Sequence, residues 1–295
     1  MTTIENDAAS DASPPKSRFR TTLRWVRRHP TVTAGASILG LIIGATVAAP
    51  LLTGYDPLIM EPLSRRQPPS VDHILGTDAV GRDMWSRTIH GGRVSLVIGI
   101  VVALLATTIG LVIGLVSGYN RIADAILMRV MDGLMSIPAI LLAIALMAVA
   151  SASITTVIVA ITIVELPRVV RLVRSVVLSL REQPYVEAAV VVGSRFPKIL
   201  FRHILPNTIA PLTVQATYIC AAAIIIESLL SFLGAGTPPE IPSWGNIMAE
   251  GRSYFQLAPW IILVPGIFLA VTVLAINLLG DGLRDMLDPR IARRL

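Results

Sequence analysis

Charged residues, cysteine and aromatic residues are all scarce in this chain. Asp, Glu, Lys and Arg make up 15% of its 295 residues, whereas hydrophobic residues make up 54%, and the mean hydropathy is +0.71. A soluble domain of this length does not need so much apolar surface, so the composition indicates an integral membrane protein with several spans. The single cysteine, Cys220, excludes an intramolecular disulfide framework and a cysteine-based metal cage.

Lysine is rarer still: Lys16 and Lys198 are the only two, and neither follows a glycine-rich loop. The sequence therefore has no G-x-x-x-x-G-K-[ST] cradle for nucleotide phosphates, so an ATP-driven machine built on this chain needs another subunit to bind ATP. Because H-E-x-x-H and G-x-S-x-G are also missing and the four histidines are scattered, we expect no catalytic residue, no metal site and no cofactor bound by this chain. Aromatic residues are only 5% of the chain, and the basic residues follow a membrane topology, so nucleic-acid binding is not supported.

Six apolar runs predict an all-α fold with six transmembrane helices. Pro138 is expected to bend the third. In the second, Gly110, Gly114 and Gly118 recur every four residues and predict a face for close helix packing. The runs cover residues 31–55, 94–117, 133–150, 154–173, 208–230 and 259–279.

The segment 56–93 is polar and lies between the first two runs. Asp78 and Arg82, like Asp83 and Arg87, are four residues apart, which favours ion pairs along a helix. We therefore predict an extracytoplasmic loop followed by an interfacial amphipathic helix. The rest of the chain is predicted to form a basic, disordered N-terminal tail (1–30), the first span (31–55), a five-helix core (94–280) and a C-terminal tail (281–295).

The positive-inside rule can be applied to these spans. With both termini in the cytoplasm, 19 of the 25 Lys and Arg residues fall on the cytoplasmic side, which is the distribution that the rule requires. This orientation also places the longest polar interruption of the second half, residues 183–206, inside the cell.

That stretch predicts two short helices. Pro184 suits the first turn of a helix, and Gly193 suits a left-handed helix end. Beyond the glycine, basic residues spaced i, i+3 and i+7 would share one face of a second helix. They are Arg195, Lys198 and Arg202. The bend would present small residues that another protein can approach closely, although an ordinary pair of surface helices remains the alternative.

Glu187-Ala188-Ala189, followed by Gly193 and then Leu205-Pro206, resembles the EAA loop of ABC-importer permeases. In that family the loop is the coupling helix that docks into a groove on the ATP-hydrolysing subunit. Other segments are similar to the C-type subunit of the dipeptide, oligopeptide and nickel branch. They include Gly76-Thr77-Asp78, Ser231-Phe232-Leu233-Gly234 and Pro242-Ser243-Trp244-Gly245.

The resemblance implies a type I ABC importer permease fold and half of a translocation pathway for peptides, with nickel or a glutathione-like peptide as other substrates of the branch. ATP and Mg²⁺ would belong to partner subunits. The implied partners are a second permease subunit in a heterodimer, two ATP-binding subunits or one fused chain, an extracytoplasmic solute-binding protein and the lipid of a bacterial plasma membrane. The resemblance assigns ATPase coupling to Glu187, Ala188, Ala189, Gly193, Arg195, Lys198, Arg202, Leu205 and Pro206.

Two acidic residues, Glu165 and Glu227, lie inside apolar runs, where an unpaired carboxylate is costly. Arg168 lies one turn beyond Glu165 and predicts an i,i+3 ion pair, whereas Glu227 is expected to stay hydrated beside Ser228 and Ser231 near the outer end of the fifth span. Both are interpreted as residues of a substrate path or an outer gate. They are also the only proton sites for the alternative function, an ion-coupled secondary carrier acting alone, and the inverted repeats of such carriers are not evident. A membrane enzyme is disfavoured because catalytic groups are missing.

Overall fold

The computed structural model describes residues 29–149 and 151–287, which form helices joined by loops. In chain order the helices are α1 (Pro30–Val47), α2 (Ala49–Leu52), α3 (Met84–Tyr119), α4 (Arg121–Met135), α5 (Ala139–Val149), α6 (Ile154–Arg181), α7 (Pro184–Val191), α8 (Phe196–Ile199), α9 (Leu205–Phe232), α10 (Trp244–Gly251) and α11 (Trp260–Leu287). A π-helical turn, Leu200–Ile204, joins α8 to α9, and 3₁₀ turns occur at Pro62–Ser64 and Arg252–Tyr254. Extended pairing in these residues is limited to one isolated bridge between Thr77 and Asp83. The predicted all-α class is confirmed for the described residues.

Four helical segments are long and apolar enough to cross a membrane: α1, α3, Pro197–Phe232 and α11. Helices α4 and α5 meet at 93° and count as a fifth if they form one broken span. Helix α6 contains the predicted fourth span and has 28 residues, but Glu165, Arg168 and Arg171 interrupt its apolar sequence. Length and composition therefore support four or five of the six predicted spans.

The packing face predicted on the second span is confirmed. A β-carbon added to any of its three spaced glycines would lie 2.5–2.6 Å from the β-carbon of a valine on α6, which no real contact tolerates. Helices α3 and α6 can therefore approach only because these side chains are missing. The pairs are Gly110 with Val169, Gly114 with Val173, and Gly118 with Val177.

The bend predicted at Pro138 is a complete break. Helix α4 ends at Met135, and α5 begins at Ala139, directly after the proline. The acidic face of α4 then packs against the basic half of α6, because Arg171 Nη2 donates to Asp132 Oδ1 at 2.5 Å, and Arg174 makes two hydrogen bonds to Asp124. These ion pairs hold α4 against α6.

The interfacial helix predicted within residues 56–93 is wrong as a separate element. Helix α3 begins at Met84 and continues without a break to Tyr119. Its start is fixed by Asp83, whose carboxylate accepts a hydrogen bond from the backbone N–H of Ser86 at 2.7 Å. Gly92 lies within this helix, and a β-carbon added to it would come within 2.6 Å of the side chain of Thr46 and 2.9 Å of that of Trp244.

Two predicted boundaries also move. The first span is interrupted after Val47, where α1 ends and the short α2 follows. At the other end α11 runs to Leu287, so residues 281–287 of the predicted tail are helical. The rest of that tail, 288–295, and residues 1–28 of the predicted N-terminal tail lie outside the described residues.

Candidate coupling site and buried carboxylates

The predicted coupling helix is α7, which has eight residues and begins with Pro184. The helix ends at Val191, and the left-handed residue predicted beyond its end is Gly193, with a φ of +81°. The N–H groups of Gly193 and Ser194 then donate to the carbonyls of Val190 at 2.9 Å and Ala189 at 3.0 Å. These bonds satisfy the last carbonyls of α7 and reverse the chain direction.

The second helix is not the separate element that the sequence predicts. From Pro197 to Phe232 the chain is continuously helical, so Leu205 and Pro206 lie within this helix and do not close the segment before a new span. The π-helical turn places His203 beside Tyr185, with ring centroids 5.9 Å apart. This ring contact joins the continuous helix to α7. The basic residues Arg195, Lys198 and Arg202 are all exposed, and none forms an ion pair within residues 29–149 and 151–287.

The base of α7 is anchored in the protein core. Val186 is buried and packs, together with Ile199 and Ile204, into the same apolar cluster as Val173 and Val177 of α6. About 25 cal/mol of stabilisation accompanies each Å² of apolar surface buried in this way. Helix α7 therefore shares one apolar cluster with α6 and with the beginning of the helix that continues into α9.

The tip of α7 is apolar and faces outwards. Val191 and Val192 are 85% and 84% exposed. Glu187 and Ala188 are also exposed, whereas Ala189 is half-buried. We call the exposed valines and the three basic residues Arg195, Lys198 and Arg202 the cytoplasmic tip, after the orientation that the distribution of Lys and Arg predicts.

A cleft of about 420 Å³ separates α7 from the ends of α3 and α6. Glu187 and Ile199 line one side, and Tyr119 and Arg181 the other. The guanidinium of Arg181 donates to the carbonyl of Gly118 at 2.9 Å and lies 5.0 Å from the ring centroid of Tyr119. The C-terminal ends of α3 and α6 are thus joined at the point where α7 begins.

Glu165 forms the predicted ion pair. Its side chain is 1% exposed, and its Oε2 atom accepts a hydrogen bond from Arg168 Nη1 at 3.3 Å. Arg168 itself is 56% exposed. Both residues line a cavity of about 170 Å³ at the break between α4 and α5.

The hydration expected for Glu227 is wrong, because its side chain is fully buried. Hydroxyl groups satisfy the carboxylate: Ser231 donates to Oε1 at 2.9 Å, and Ser95 donates to Oε2 at 3.1 Å. Ser228 adds a weaker contact at 3.4 Å. Because Ser95 belongs to α3, this serine cage joins α3 to the C-terminal end of α9. The sequence shows the two serines on the same helix but not Ser95, which is 132 residues away.

A second charged cluster lies at the beginning of α3. The predicted pair between Asp78 and Arg82 is confirmed, with 2.6 Å between Oδ2 and Nε. Arg87 also donates to Asp78 and reaches Glu250 of α10 at 2.6 Å and 3.0 Å. The predicted pair of Asp83 with Arg87 is therefore wrong.

Asp83 pairs instead with His73, 3.0 Å away, so Asp78 and Asp83 each have a charged or hydrogen-bonding side-chain partner. Burial opposes ionisation of Asp78, but Arg87 and Arg82, together with two backbone N–H groups, outweigh burial and hold the pKa of Asp78 below its ordinary value. Across the described residues, no group of three or more His, Cys, Asp and Glu side chains is arranged to hold a metal ion.

Comparisons with known proteins agree on a transport component. Residues 107–293 match the family described as binding-protein-dependent transport system inner membrane component. The chain is 55% identical, over 280 residues, to a probable peptide ABC transporter permease protein, y4tQ, of Sinorhizobium fredii, with 95% of this chain and 96% of the relative covered. It is 38% identical, over 288 residues, to the dipeptide transport system permease protein DppC of Alkalihalophilus pseudofirmus, with 95% of each chain covered.

Among solved structures, a chain of the MetNI methionine ABC transporter in an inward facing conformation has a TM-score of 0.56 at 21% sequence identity. The match covers 70% of this chain and 98% of that one. At this identity the likeness concerns the fold alone.

Proposed function

The chain belongs to the family of inner membrane components of binding-protein-dependent transport systems, and we propose from this that it is the permease subunit of an ATP-driven importer of peptides. The observation that carries the proposal is the 55% identity to a peptide ABC transporter permease protein over nearly the whole of both chains. The subunit forms half of the translocation pathway, and a second permease forms the other half. Dipeptides are the first substrates to test, because a relative with 38% identity is named a dipeptide permease; nickel and glutathione-like peptides are the other solutes to compare.

We propose six membrane-spanning helices of the type I importer fold: α1, α3, the broken pair α4–α5, α6, α9 and α11. Both termini then lie in the cytoplasm, which the distribution of Lys and Arg supports. This orientation puts α7 on the cytoplasmic side and the serine cage of Glu227 near the outer side, where a solute-binding protein delivers the substrate.

The proposed coupling element is α7 with its cytoplasmic tip. Two ATP-binding subunits, or one fused chain, hold ATP and Mg²⁺ and receive the exposed valines in an apolar groove. The free guanidinium and ammonium groups of the tip pair with acidic residues of that partner. Glu187, Ala188, Ala189 and Gly193 set the shape of α7, while Leu205 and Pro206 lie in the continuous helix that carries the movement into the membrane.

The proposed mechanism is alternating access. ATP binding draws the nucleotide-binding subunits together and moves α7. Because Val186, Ile199 and Ile204 are embedded in the core, α6 and α9 move with it, and the cavity between the two permeases changes the side to which it opens. Glu227 is proposed to hold the outer ends of α3 and α9 together as part of an outer gate, and Glu165 to lie on the substrate path.

The experiment that tests this function compares two proteoliposome preparations. One contains this chain with its second permease, ATP-binding subunits and solute-binding protein, and the other contains this chain alone. We expect ATP-dependent uptake of dialanine only in the complete preparation. Uptake by the chain alone under an ion gradient would favour the secondary carrier and would overturn the proposal.

A further inference from the structure

The two carboxylates buried inside the helices differ in how well they are satisfied. Glu227 accepts hydrogen bonds from hydroxyl groups on both of its oxygens. Glu165 is equally buried, yet it has a single partner, the guanidinium of Arg168 at the long distance of 3.3 Å. Its other oxygen, Oε1, makes no hydrogen bond to the residues in 29–149 and 151–287, and it is not one of the fully enclosed atoms without a partner. A buried carboxylate with one weak partner has capacity for a further cationic donor.

Glu165 also lies at a cavity. The space of about 170 Å³ at the break between α4 and α5 is otherwise lined by apolar groups, including Leu134, Ile137, Pro138 and Leu142. Pockets that enclose drug-sized ligands are typically about 300–1,000 Å³, so this one has room for the end of a small molecule. Its polar groups are the carboxylate of Glu165 and the guanidinium of Arg168.

The two members of the ion pair are held very differently. Glu165 is fixed in the core at 1% exposure, whereas Arg168, at 56% exposure, can move into water. An exposed guanidinium loses little when it leaves such a pair, because water solvates it. The carboxylate cannot follow, so another cation that enters the cavity can replace Arg168.

We propose that Glu165 is a binding site for the α-ammonium group of the peptide during translocation, and that Arg168 occupies this site when no peptide is present. The inference rests on the proposed function, since it supplies the substrate. The apolar lining accommodates the first side chain of the peptide, and the ammonium group donates to both oxygens of Glu165. Return of Arg168 then helps the peptide to leave, which meets the requirement that a site on a transport path bind weakly enough to release.

The test uses the complete importer in proteoliposomes with dialanine as the transported probe. Glu165→Gln keeps the size of the side chain and removes its charge, so dialanine uptake should fall about tenfold or more, as expected for the loss of a charge-assisted hydrogen bond. Stimulation of ATP hydrolysis by the loaded solute-binding protein should be retained. Glu165→Asp, which keeps the charge, should recover part of the uptake, and Glu240→Gln, at an exposed carboxylate in the outer loop, should behave as wild type.

Arg168→Gln separates the proposed site from an ordinary ion pair. The site predicts unchanged or increased apparent affinity for dialanine, because the competing cation is gone, whereas a merely structural pair predicts the same loss as Glu165→Gln. Because Arg168 is exposed, this variant is expected to fold even if Glu165→Gln does not. Equal losses in the two variants, or wild-type uptake by Glu165→Gln, would overturn the inference. Failure of the wild-type complex to import dialanine would instead count against the proposed peptide function.

Discussion

Gly193 shows how one residue controls the shape of the coupling segment. A β-carbon at this position would contact nothing within 4 Å, so a substitution tests the backbone conformation and not the packing. A residue with a side chain adopts left-handed φ at a cost of about 1–2 kcal/mol. Proline cannot adopt a left-handed φ, because its ring holds φ at about −65°. A proline would also remove the N–H that donates to the carbonyl of Val190.

We therefore predict that Gly193→Ala lowers dialanine uptake per ATP hydrolysed modestly and that Gly193→Pro abolishes coupled uptake. Membrane insertion should be normal in both, because the change is confined to the turn after α7. The matched control is Gly133→Ala, at an exposed glycine inside α4 whose added β-carbon also contacts nothing. Uptake and ATP hydrolysis measured in the same proteoliposomes check the prediction, which fails if Gly193→Pro is fully coupled.

Ionisation of Asp78 should make the stability of the permease depend on pH. The folded-state pKa of Asp78 lies below the ordinary value of 3.8, so the carboxylate stabilises the fold above that value, and this contribution is lost as pH falls through the lowered pKa. Asp78→Asn leaves Arg87 with one anionic partner fewer, and breaking a buried pair typically costs about 3–5 kcal/mol.

The variant should therefore unfold at a lower temperature than wild type near neutral pH. As the solution is made more acidic, the difference should narrow only once the pH falls below the ordinary pKa of Asp78, 3.8. Asp72→Asn, which changes an exposed carboxylate of the same loop before α3, should leave the unfolding temperature close to that of wild type throughout. Thermal unfolding of the purified permease at these pH values provides the measurement. A difference that stays constant with pH would mean that ionisation of Asp78 does not stabilise the fold.

At the scale of helices, the approach of α3 to α6 depends on the three spaced glycines of α3. We predict that Gly114→Ala destabilises the permease by about 1–3 kcal/mol, because its β-carbon would lie 2.6 Å from the β-carbon of Val173 and the helices would have to separate. Gly44→Ala in α1, where an added β-carbon contacts nothing, is the control and should be neutral. Thermal unfolding of the purified variants distinguishes the two, and equal stability would contradict the packing argument.

The predictions that the structure confirms depend on residues that are close together in the sequence. The glycine spacing of α3, the break at Pro138 and the left-handed turn at Gly193 each depend on residues within a few positions of one another. The sequence could not show that Glu250 completes the pair of Asp78 with Arg87, since 163 residues separate Glu250 from Arg87. The predicted Asp83–Arg87 pair failed for the same reason, because both residues have partners that are not on their own helix face.

At the scale of the whole molecule, docking and transmission should be separable, because they use opposite ends of α7. Val191 is exposed at the cytoplasmic tip, whereas Val186 is buried at the base. Val191→Asp places a charge where an apolar groove of the partner is expected, so the ATP-binding subunits should associate at least about tenfold more weakly, a loss of roughly 1.4 kcal/mol. Val71→Asp, at a valine that is 98% exposed in the loop before α3, should leave association unchanged.

Val186→Ala should have the complementary effect. It removes two methyl groups that fix α7 to the core cluster with Ile199 and Ile204, while the cytoplasmic tip is unaltered, so association and ATP hydrolysis should persist. If α7 is packed less firmly against the core, it can move while α6 and α9 stay in place. The amount of peptide transported per ATP should therefore fall by a larger factor than the rate of ATP hydrolysis. Co-purification of the ATP-binding subunits, together with paired measurements of uptake and hydrolysis, separates the two variants. If Val191→Asp and Val186→Ala lower association to the same extent, the base of α7 belongs to the docking surface, and force must reach the membrane helices by another route.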